Sequence, residues 1–164
     1  MSLSDIKIFI SDVDGVMTDT RIWLNTNDEW CRQYSIYDGM GMKRLQAAGI
    51  KTGIITASVA HDGRTRFKFL KVDYFHEGAK DKLLNLDQIL KEANLEPSQA
   101  CYIGDDLMDL PVIEKVGYGV TVPHALPIIK EKSDYITQAQ GGFGAVREVC
   151  EMILEATESN EANL

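Results

Sequence analysis

Short apolar segments that end in acidic or hydroxyl residues alternate along this chain with segments of helical periodicity. Residues 6–10, 52–56 and 100–103 are rich in the β-branched and aromatic side chains of buried strands. Strands that alternate with helices form a parallel sheet with helices on both faces. The sequence therefore predicts a Rossmann-like, three-layer α/β fold. Weaker strands are predicted at residues 119–122 and 135–136, and helices at residues 40–48, 59–70, 82–93, 107–116 and 144–156.

A β-hairpin is predicted directly after the first strand. Residues 20–24 and 29–34 have strand-like composition, and the polar residues 25–28 between them favour a turn. The hairpin would be an insertion between the first strand and the first helix of the parallel sheet.

Length and charge limit the number of domains and the kinds of partner. A chain of 164 residues can bury one substantial core, and we predict one domain over residues 1–156, followed by a flexible tail at 157–164. The net charge of -8 argues against nonspecific binding to nucleic acid or an anionic membrane. No apolar stretch approaches the roughly 20 residues that span a bilayer. The three cysteines lack a CxxC spacing, and we expect a cytoplasmic protein.

Five aspartates follow two of the predicted strands. Asp12 and Asp14 come after the first strand, and Asp105, Asp106 and Asp109 come after the strand at 100–103. The carboxyl ends of parallel strands meet at one edge of a sheet, where so many carboxylates would repel one another unless a cation were present. Mg²⁺ takes oxygen ligands and can also bind a phosphate oxygen. The pattern therefore predicts a site for a divalent cation such as Mg²⁺.

Plainer interpretations exist for single residues of this group. Asp109 by itself could equally be a helix N-cap or a turn residue. The run Asp12-Val13-Asp14-Gly15 is also similar to the start of an EF-hand calcium loop. That loop requires a glycine at its sixth position, a glutamate at its twelfth and flanking helices, whereas this run follows a strand.

Two other residues are candidates for binding phosphate. Thr56 ends the second predicted strand, where its hydroxyl could donate to a phosphate oxygen. Lys82 lies at a predicted helix start, which is unfavourable for a cation in the helix dipole and indicates an electrostatic role. A structural threonine and a solvated lysine are the alternatives. The glycine-rich residues 141–144 precede a helix and are a weak candidate for anion binding.

The order of these motifs resembles that of the haloacid dehalogenase superfamily. Within it, the chain is similar over nearly its whole length to the 3-deoxy-D-manno-octulosonate 8-phosphate phosphatase family. The similarity rests on Asp12-Val-Asp-Gly-Val-Met-Thr-Asp19, Asp38-Gly-Met-Gly41, Arg66-x-x-x-Leu70, Tyr102-Ile-Gly-Asp-Asp106 and Gly141-Gly-Phe-Gly-Ala-Val-Arg-Glu148.

The resemblance implies a phosphatase that forms an aspartyl-phosphate. Asp12 would be the nucleophile, and Asp14 would protonate the leaving sugar oxygen and later deprotonate the hydrolytic water. Thr56 and Lys82 would hold the phosphoryl oxygens, and Asp109 would orient its neighbours. The resemblance also implies that Mg²⁺ is held by the Asp12 side chain, the Asp14 backbone carbonyl and Asp105, with Asp106 assisting.

Residues 15–55 and 57–81 leave no room for the cap domain that many superfamily members carry. The resemblance implies a homotetramer in which the hairpin of one subunit covers the active site of another. Residues 20–34 would be that hairpin, with Trp23 and Trp30 either in the interface or packed within the monomer.

The substrate expected from the resemblance is a small phosphorylated sugar acid, octulosonate 8-phosphate. The family typically has Gly-Arg after Thr56 and a basic residue within Gly-Gly-x-Gly, whereas this chain has Ala57-Ser58 and Phe143. A nine-carbon ulosonic acid 9-phosphate is therefore an alternative substrate. Arg66 is the candidate partner for the substrate carboxylate, with a helix-surface arginine as the alternative.

A receiver domain or a non-catalytic phosphate-binding subunit is the alternative from another functional class. Receiver domains also combine aspartates, Mg²⁺, threonine and lysine on a parallel sheet. In them the paired acids end the first strand and one phospho-acceptor aspartate ends the third. Here Asp12 and Asp14 come first and the Asp105-Asp106 pair comes much later, which favours the phosphatase.

Overall fold

The computed structural model describes residues 2–161, with side chains for residues 2–159. These residues form eight strands, namely β1 (Ile8–Ser11), β2 (Trp23–Leu24), β3 (Trp30–Cys31), β4 (Lys51–Ile55), β5 (Tyr74–His76), β6 (Ala100–Ile103), β7 (Tyr118–Thr121) and β8 (Tyr135–Ile136). The helices are α1 (Ile36–Ala47), α2 (His61–Leu70), α3 (Lys82–Ala93), α4 (Leu110–Ile113), α5 (Pro127–Lys132) and α6 (Ala145–Glu161).

Six of the strands that the structure describes form one parallel sheet in the order β5-β4-β1-β6-β7-β8. Strand β1 lies between β4 and β6, and all four of its residues are buried. A parallel strand covered on both faces is apolar along its length, which explains the uninterrupted run Ile8-Phe9-Ile10. The central position of β1 places Asp12 in the middle of the sheet edge.

Helices cover both faces of this sheet. Helix α1 packs against α2 and α6, while α3 packs against α4, and α4 against α5. Right-handed crossovers put the helices that follow β1 and β4 on one face and those that follow β5, β6 and β7 on the other. The predicted three-layer α/β fold is confirmed. Helices α1 and α6 also share a polar contact, because Arg147 N donates to Asp38 Oδ1 at 2.8 Å.

The hairpin is present but shorter than predicted. Its strands β2 and β3 are two residues each and pair antiparallel, with Trp23 opposite Cys31 and Leu24 opposite Trp30. The turn is closed by Asn25, whose side-chain oxygen accepts from the backbone amides of Asn27 and Glu29. The hairpin pairs with no strand of the parallel sheet within the described residues.

Other boundaries also differ from the prediction. Strand β5 and helix α5 were not predicted, because three and six residues are too few for a clear apolar period. Helix α6 continues to Glu161, so residues 157–161 are helical, whereas the sequence predicted a tail from residue 157. The flexibility of that segment stays a prediction, and residues 162–164 lie outside the described part of the chain. No helix among the described residues is long and apolar enough to cross a membrane.

Candidate active site

A sharp turn at Gly15 brings the loops after β1 and β6 into contact. Gly15 has φ +89°, a conformation that favours glycine. A Cβ atom added there would overlap the Asp105 carboxylate. The Asp12 backbone amide donates to Ile103 O at 3.0 Å. These contacts place the two predicted aspartate groups side by side.

Lys82 forms ion pairs with two of the aspartates. Its Nζ lies 2.7 Å from Asp12 Oδ1 and 2.6 Å from Asp109 Oδ1. Its N-terminal neighbour Asp81 caps helix α3 by accepting from the backbone amides of Leu83 and Leu84. Burial alone lowers the pKa of Lys82, but the charges of Asp12 and Asp109 outweigh burial and raise it. Lys82 is therefore a charged residue inside the site.

Asp109 uses both of its carboxylate oxygens to hold its neighbours. Oδ1 accepts from Lys82 Nζ and from the Tyr102 hydroxyl. Oδ2 accepts from the backbone amides of Asp105 and Asp106, both at 3.1 Å. A side chain with four donors has little capacity left for a metal. We interpret Asp109 as the residue that orients the site, although its carboxylate lies close to the possible metal ligands.

Asp12 and Asp105, which lie beside Asp109, fit a divalent cation. Asp12, Asp105 and Asp109 each place a carboxylate oxygen within 4.8 Å of one another. Burial, followed by the charges of Asp109 and Asp106, raises the pKa of Asp105 to about 7. Burial and the charge of Asp109 likewise raise the pKa of Asp12. Burial and the neighbouring carboxylates therefore disfavour the ionised forms of Asp12 and Asp105, and a Mg²⁺ ion bound by both would supply positive charge that favours them.

Thr56 lies at the end of β4, facing the same cavity as Asp12. Its side chain is buried, and its Oγ1 accepts from the Ser58 backbone amide at 3.1 Å. Its backbone amide donates to His76 O at the end of β5. With the oxygen accepting from Ser58, the hydroxyl proton is directed elsewhere and can be donated to a ligand oxygen in the cavity.

Arg32, which follows β3 of the hairpin, was missed by the sequence reasoning. Its Nη1 donates to both carboxylate oxygens of Asp14 at 3.0 Å. Its Nε and Nη2 donate to the two oxygens of Asp62 in helix α2 at 3.0 and 2.7 Å. Its partners Asp14 and Asp62 lie 18 and 30 residues away along the chain, so no local sequence pattern signalled the contact.

The cavity at this sheet edge has a volume of about 490 Å³. Ile22 and Trp30 of the hairpin line it together with the hairpin residue Arg32, so the chain's own hairpin forms one wall. The cavity brings together eight of the ten predicted site residues, namely Asp12, Asp14, Thr56, Ser58, Lys82, Asp105, Asp106 and Asp109.

Arg66 and Phe143 do not line this cavity. Arg66 Nη2 donates to Ser35 O at 2.9 Å, and its guanidinium interacts with the charge of Asp38. Its side chain lines a separate pocket together with Asp62. Phe143 is exposed and lines another pocket next to Tyr37. Their role in binding substrate stays a prediction, and within one subunit they lie outside the cavity that holds the aspartates.

The glycine-rich loop at residues 141–144 supports the Asp12 loop from outside the cavity. The Gly142 amide donates to Val16 O at 2.9 Å, and a Cβ atom at Gly141 would overlap Gly15 O. The loop therefore packs against the turn that carries the aspartates. Its predicted role of facing an anion is not what these contacts indicate.

Comparison with known proteins identifies the family. Residues 71–148 match the haloacid dehalogenase-like hydrolases. The 3-deoxy-D-manno-octulosonate 8-phosphate phosphatase KdsC of Yersinia pestis is 38% identical over 158 residues, which cover 96% of this chain and 84% of that protein. The KdsC of Escherichia coli K12 is 37% identical and covers 93% and 81%. This chain belongs to the KdsC phosphatase family.

Solved structures of the KdsC family have the same fold as this chain. The Moraxella catarrhalis enzyme, crystallised with magnesium, phosphate and KDO, is 38% identical with a TM-score of 0.92 and covers 98% of this chain and 92% of its own. The cobalt-bound enzyme of Haemophilus influenzae is 33% identical, also with a TM-score of 0.92, and covers 96% and 92%. Membership in the KdsC family confirms the predicted phosphatase and disfavours the receiver-like alternative.

Proposed function

We propose that this chain is a Mg²⁺-dependent phosphomonoesterase that hydrolyses 3-deoxy-D-manno-octulosonate 8-phosphate to the free sugar acid and phosphate. The observation that carries the proposal is the pairing of Asp12 with Lys82 at the end of the central strand, in one cavity with Asp14 and Thr56. The substrate follows from membership in the KdsC family. An enzyme that acts on a phosphorylated metabolite of this kind would work in the cytoplasm.

In the first half of the reaction, Asp12 attacks the phosphorus atom. Asp12 Oδ1 is held by Lys82, which leaves Oδ2 as the attacking oxygen. As the new P–O bond forms, the bond from phosphorus to the sugar oxygen breaks, and its electron pair stays on that oxygen. Asp14 gives the sugar oxygen a proton, so that a neutral alcohol leaves. Thr56 and Lys82 donate to the phosphoryl oxygens.

In the second half, water hydrolyses the aspartyl-phosphate. Asp14, now a carboxylate, takes a proton from the water as the water oxygen bonds to phosphorus. The bond between phosphorus and the Asp12 oxygen breaks, which releases phosphate and restores the Asp12 carboxylate. Asp109 keeps Lys82 and the loop at residues 105–106 in place throughout, through the four hydrogen bonds to its carboxylate.

The residues proposed to hold Mg²⁺ are the side chains of Asp12 and Asp105 and the backbone carbonyl of Asp14, with Asp106 assisting. When bound, the ion supplies positive charge that offsets the repulsion between the carboxylate nucleophile and the phosphate. The raised pKa of Asp105 and the shortage of positive charge around it support this assignment.

A homotetramer with shared active sites is part of the proposal. Four large apolar side chains of the hairpin are exposed in the single chain, and they suit burial against a second copy: Ile22, Trp23, Leu24 and Trp30. In such an assembly Arg66 and Phe143 of one subunit could reach the cavity of another, although they do not line their own.

A nine-carbon sugar acid is the alternative to the eight-carbon substrate. Ser58 lines the catalytic cavity, at a position where this family typically has an arginine. Loss of that cation is the observation that favours a nine-carbon ulosonic acid 9-phosphate as the alternative substrate. Comparing kcat/KM for the eight- and nine-carbon acids decides between them, because the preferred substrate has the larger value.

Phosphate release with Mg²⁺ present tests the proposed activity. We expect turnover of octulosonate 8-phosphate by the wild-type protein and none by Asp12→Asn, which removes the nucleophile but keeps its shape. Asp5→Asn, at an exposed aspartate near the N-terminus, is the matched control and should keep full activity. The proposal fails if the wild-type protein releases phosphate from none of a panel of eight- and nine-carbon substrates.

Sedimentation tests the assembly. We expect a tetramer for the wild-type protein and smaller species for Trp30→Asp, which puts a charge on the exposed hairpin face. Glu29→Asp, a neighbouring substitution that preserves charge, should leave the assembly unchanged. A wild-type monomer with full activity would exclude shared active sites.

A further inference from the structure

We infer that Arg32 is a positioning residue for Asp14, the carboxylate that transfers protons, and that Asp62 holds Arg32 in place for this task. The inference rests on the proposed function, since it concerns a residue that serves the same reaction. Arg32 lies in the inserted hairpin, outside the sequence segments that contain Asp12, Thr56, Lys82 and Asp105.

The Arg32 guanidinium connects two carboxylates. Nη1 lies 3.0 Å from each oxygen of Asp14, while Nε and Nη2 form a two-pronged contact with Asp62. The Arg32 side chain is 5% exposed and that of Asp62 16%. Guanidinium is planar and rigid, so fixing two of its nitrogens on Asp62 also fixes the direction of the third.

Asp62 also controls the backbone at Arg32. The Arg32 amide donates to Asp62 Oδ2 at 2.9 Å, in addition to the side-chain contacts. Asp62 itself is fixed by its place in the first turn of α2 and by accepting from the Gly63 amide. The Asp62 carboxylate therefore fixes both the backbone after β3 and the orientation of the Arg32 side chain.

Asp14 needs such help because little else restrains it. Its side chain is 45% exposed, so packing limits its rotation only weakly. A proton donor that rotates freely spends little time aligned with the leaving oxygen. Two hydrogen bonds from one buried nitrogen hold both carboxylate oxygens in a fixed plane at the cavity wall.

Asp14 changes its charge twice during the reaction, and Arg32 holds it through both changes. When Asp14 gives its proton to the sugar oxygen as the P–O bond breaks, a negative charge appears on its carboxylate, facing Nη1. The charge is removed again when Asp14 takes a proton from the attacking water. Arg32 exchanges no proton or bond in either step, and it acts only by holding the Asp14 carboxylate in place.

Two other roles for Arg32 give different kinetics. As a ligand for the substrate carboxylate, it would matter only for substrates that carry that carboxylate. As a purely structural tie between the hairpin and α2, it would affect all substrates equally. A positioning role predicts a third pattern, in which kcat/KM falls only for substrates whose leaving group needs a proton.

The test measures kcat/KM with three phosphate esters. Octulosonate 8-phosphate has an alcohol leaving group and a carboxylate, glucose 6-phosphate has an alcohol leaving group without a carboxylate, and p-nitrophenyl phosphate has a leaving group that departs without a proton. The variants are Arg32→Gln, Arg32→Lys and the double variant Arg32→Gln with Asp62→Asn. The double variant leaves no unpaired buried carboxylate at Asp62 and guards against misfolding.

For Arg32→Gln we expect kcat/KM to fall about 10- to 100-fold for both sugar phosphates, a part of the usual contribution of a general acid. The value for p-nitrophenyl phosphate should fall by less than about threefold, because that ester needs no proton from Asp14. Arg32→Lys should recover part of the loss, and the double variant should repeat the pattern of Arg32→Gln.

Two results would overturn the inference. An equal loss of kcat/KM for all three esters would mean that Arg32 only connects the hairpin to α2. A loss of kcat/KM confined to octulosonate 8-phosphate would mean that Arg32 binds the substrate carboxylate. Because the comparison is made within one variant, a partly unfolded sample lowers all three values together and cannot imitate the expected pattern. Failure of the proposed function is seen separately, as absent turnover by the wild-type protein.

Discussion

Lys82 Nζ lies 2.7 Å from Asp12 Oδ1, and both side chains are at least nine-tenths buried. Lys82 also contacts Asp109 at 2.6 Å, so one cation serves two carboxylates inside the protein. Removing one partner from a buried ionic group costs more than removing an exposed pair, because the remaining charges lose their compensation without regaining water. The cluster is therefore important for stability as well as for catalysis.

Lys82→Met should destabilise the protein by about 3–5 kcal/mol and abolish activity. Asp12 and Asp109 would then face each other without a cation. Urea unfolding at pH 8, followed by circular dichroism, measures the change. Lys115→Met is the matched control, because Lys115 forms a 2.6 Å pair with Asp87 at the surface, and it should cost no more than about 1 kcal/mol. Equal costs for the two variants would contradict the prediction.

Gly15→Ala should abolish activity, since a Cβ atom would displace the Asp105 carboxylate. Gly49→Ala makes the same change at a similar φ of +79°, but with no atom within 4 Å of the added Cβ. Both variants carry backbone strain, on the order of 1–3 kcal/mol, but only Gly15→Ala disturbs the site. Phosphate release from the two purified variants measures the difference, and similar activities would show that the contact with Asp105 is unimportant.

Mg²⁺ should stabilise the folded protein, and its removal with EDTA should abolish activity. At a concentration 100 times its dissociation constant, an ion that binds only the folded state adds about 2.7 kcal/mol. For a chain of this length the expected rise in Tm is about 5–10 °C. Differential scanning calorimetry with and without Mg²⁺ tests this. The Tm of Asp105→Asn should not rise when Mg²⁺ is added, whereas the Tm of the surface variant Asp5→Asn should rise as it does for the wild-type protein.

Asp38 should make stability depend on pH. Burial raises the pKa of Asp38 in the folded protein to about 6 from an ordinary value of 3.8, and the Arg147 amide only partly opposes this. Between these values a folded chain holds a proton on Asp38 that the unfolded chain has lost, so the contribution of Asp38 to stability falls as pH rises from about 4 to about 6 and then levels off. The fall should be on the order of 2–3 kcal/mol.

Asp38→Asn isolates this effect, because an asparagine can still accept from the Arg147 amide but does not ionise. Urea midpoints measured from pH 4 to pH 7 should decline less steeply for the variant than for the wild-type protein. Asp28→Asn, at an exposed hairpin residue, should follow the wild-type curve. Parallel curves for Asp38→Asn and the wild-type protein would mean that Asp38 keeps an ordinary pKa.

Sequence reasoning succeeded where chemistry is carried by short motifs at strand ends. Asp12, Thr56 and Asp105 each follow a recognisable strand, and parallel strands bring their carboxyl ends together. It was less successful where an element is short, as with β5 and α5, and where a helix end is polar, as with α6, which continues to Glu161. A helix can extend beyond its apolar period when its next residues still favour helical backbone.

The sequence by itself determined the parallel α/β sheet and the acidic strand ends, because both depend on local patterns of apolar and polar residues. The tertiary structure decided which side chains meet. Arg32 reaches Asp14 and Asp62 across 18 and 30 residues of chain, and Arg66 turns to Ser35 and away from the catalytic cavity. Such pairings depend on how the hairpin and α2 pack against the sheet, and no local spacing in the sequence encodes that arrangement.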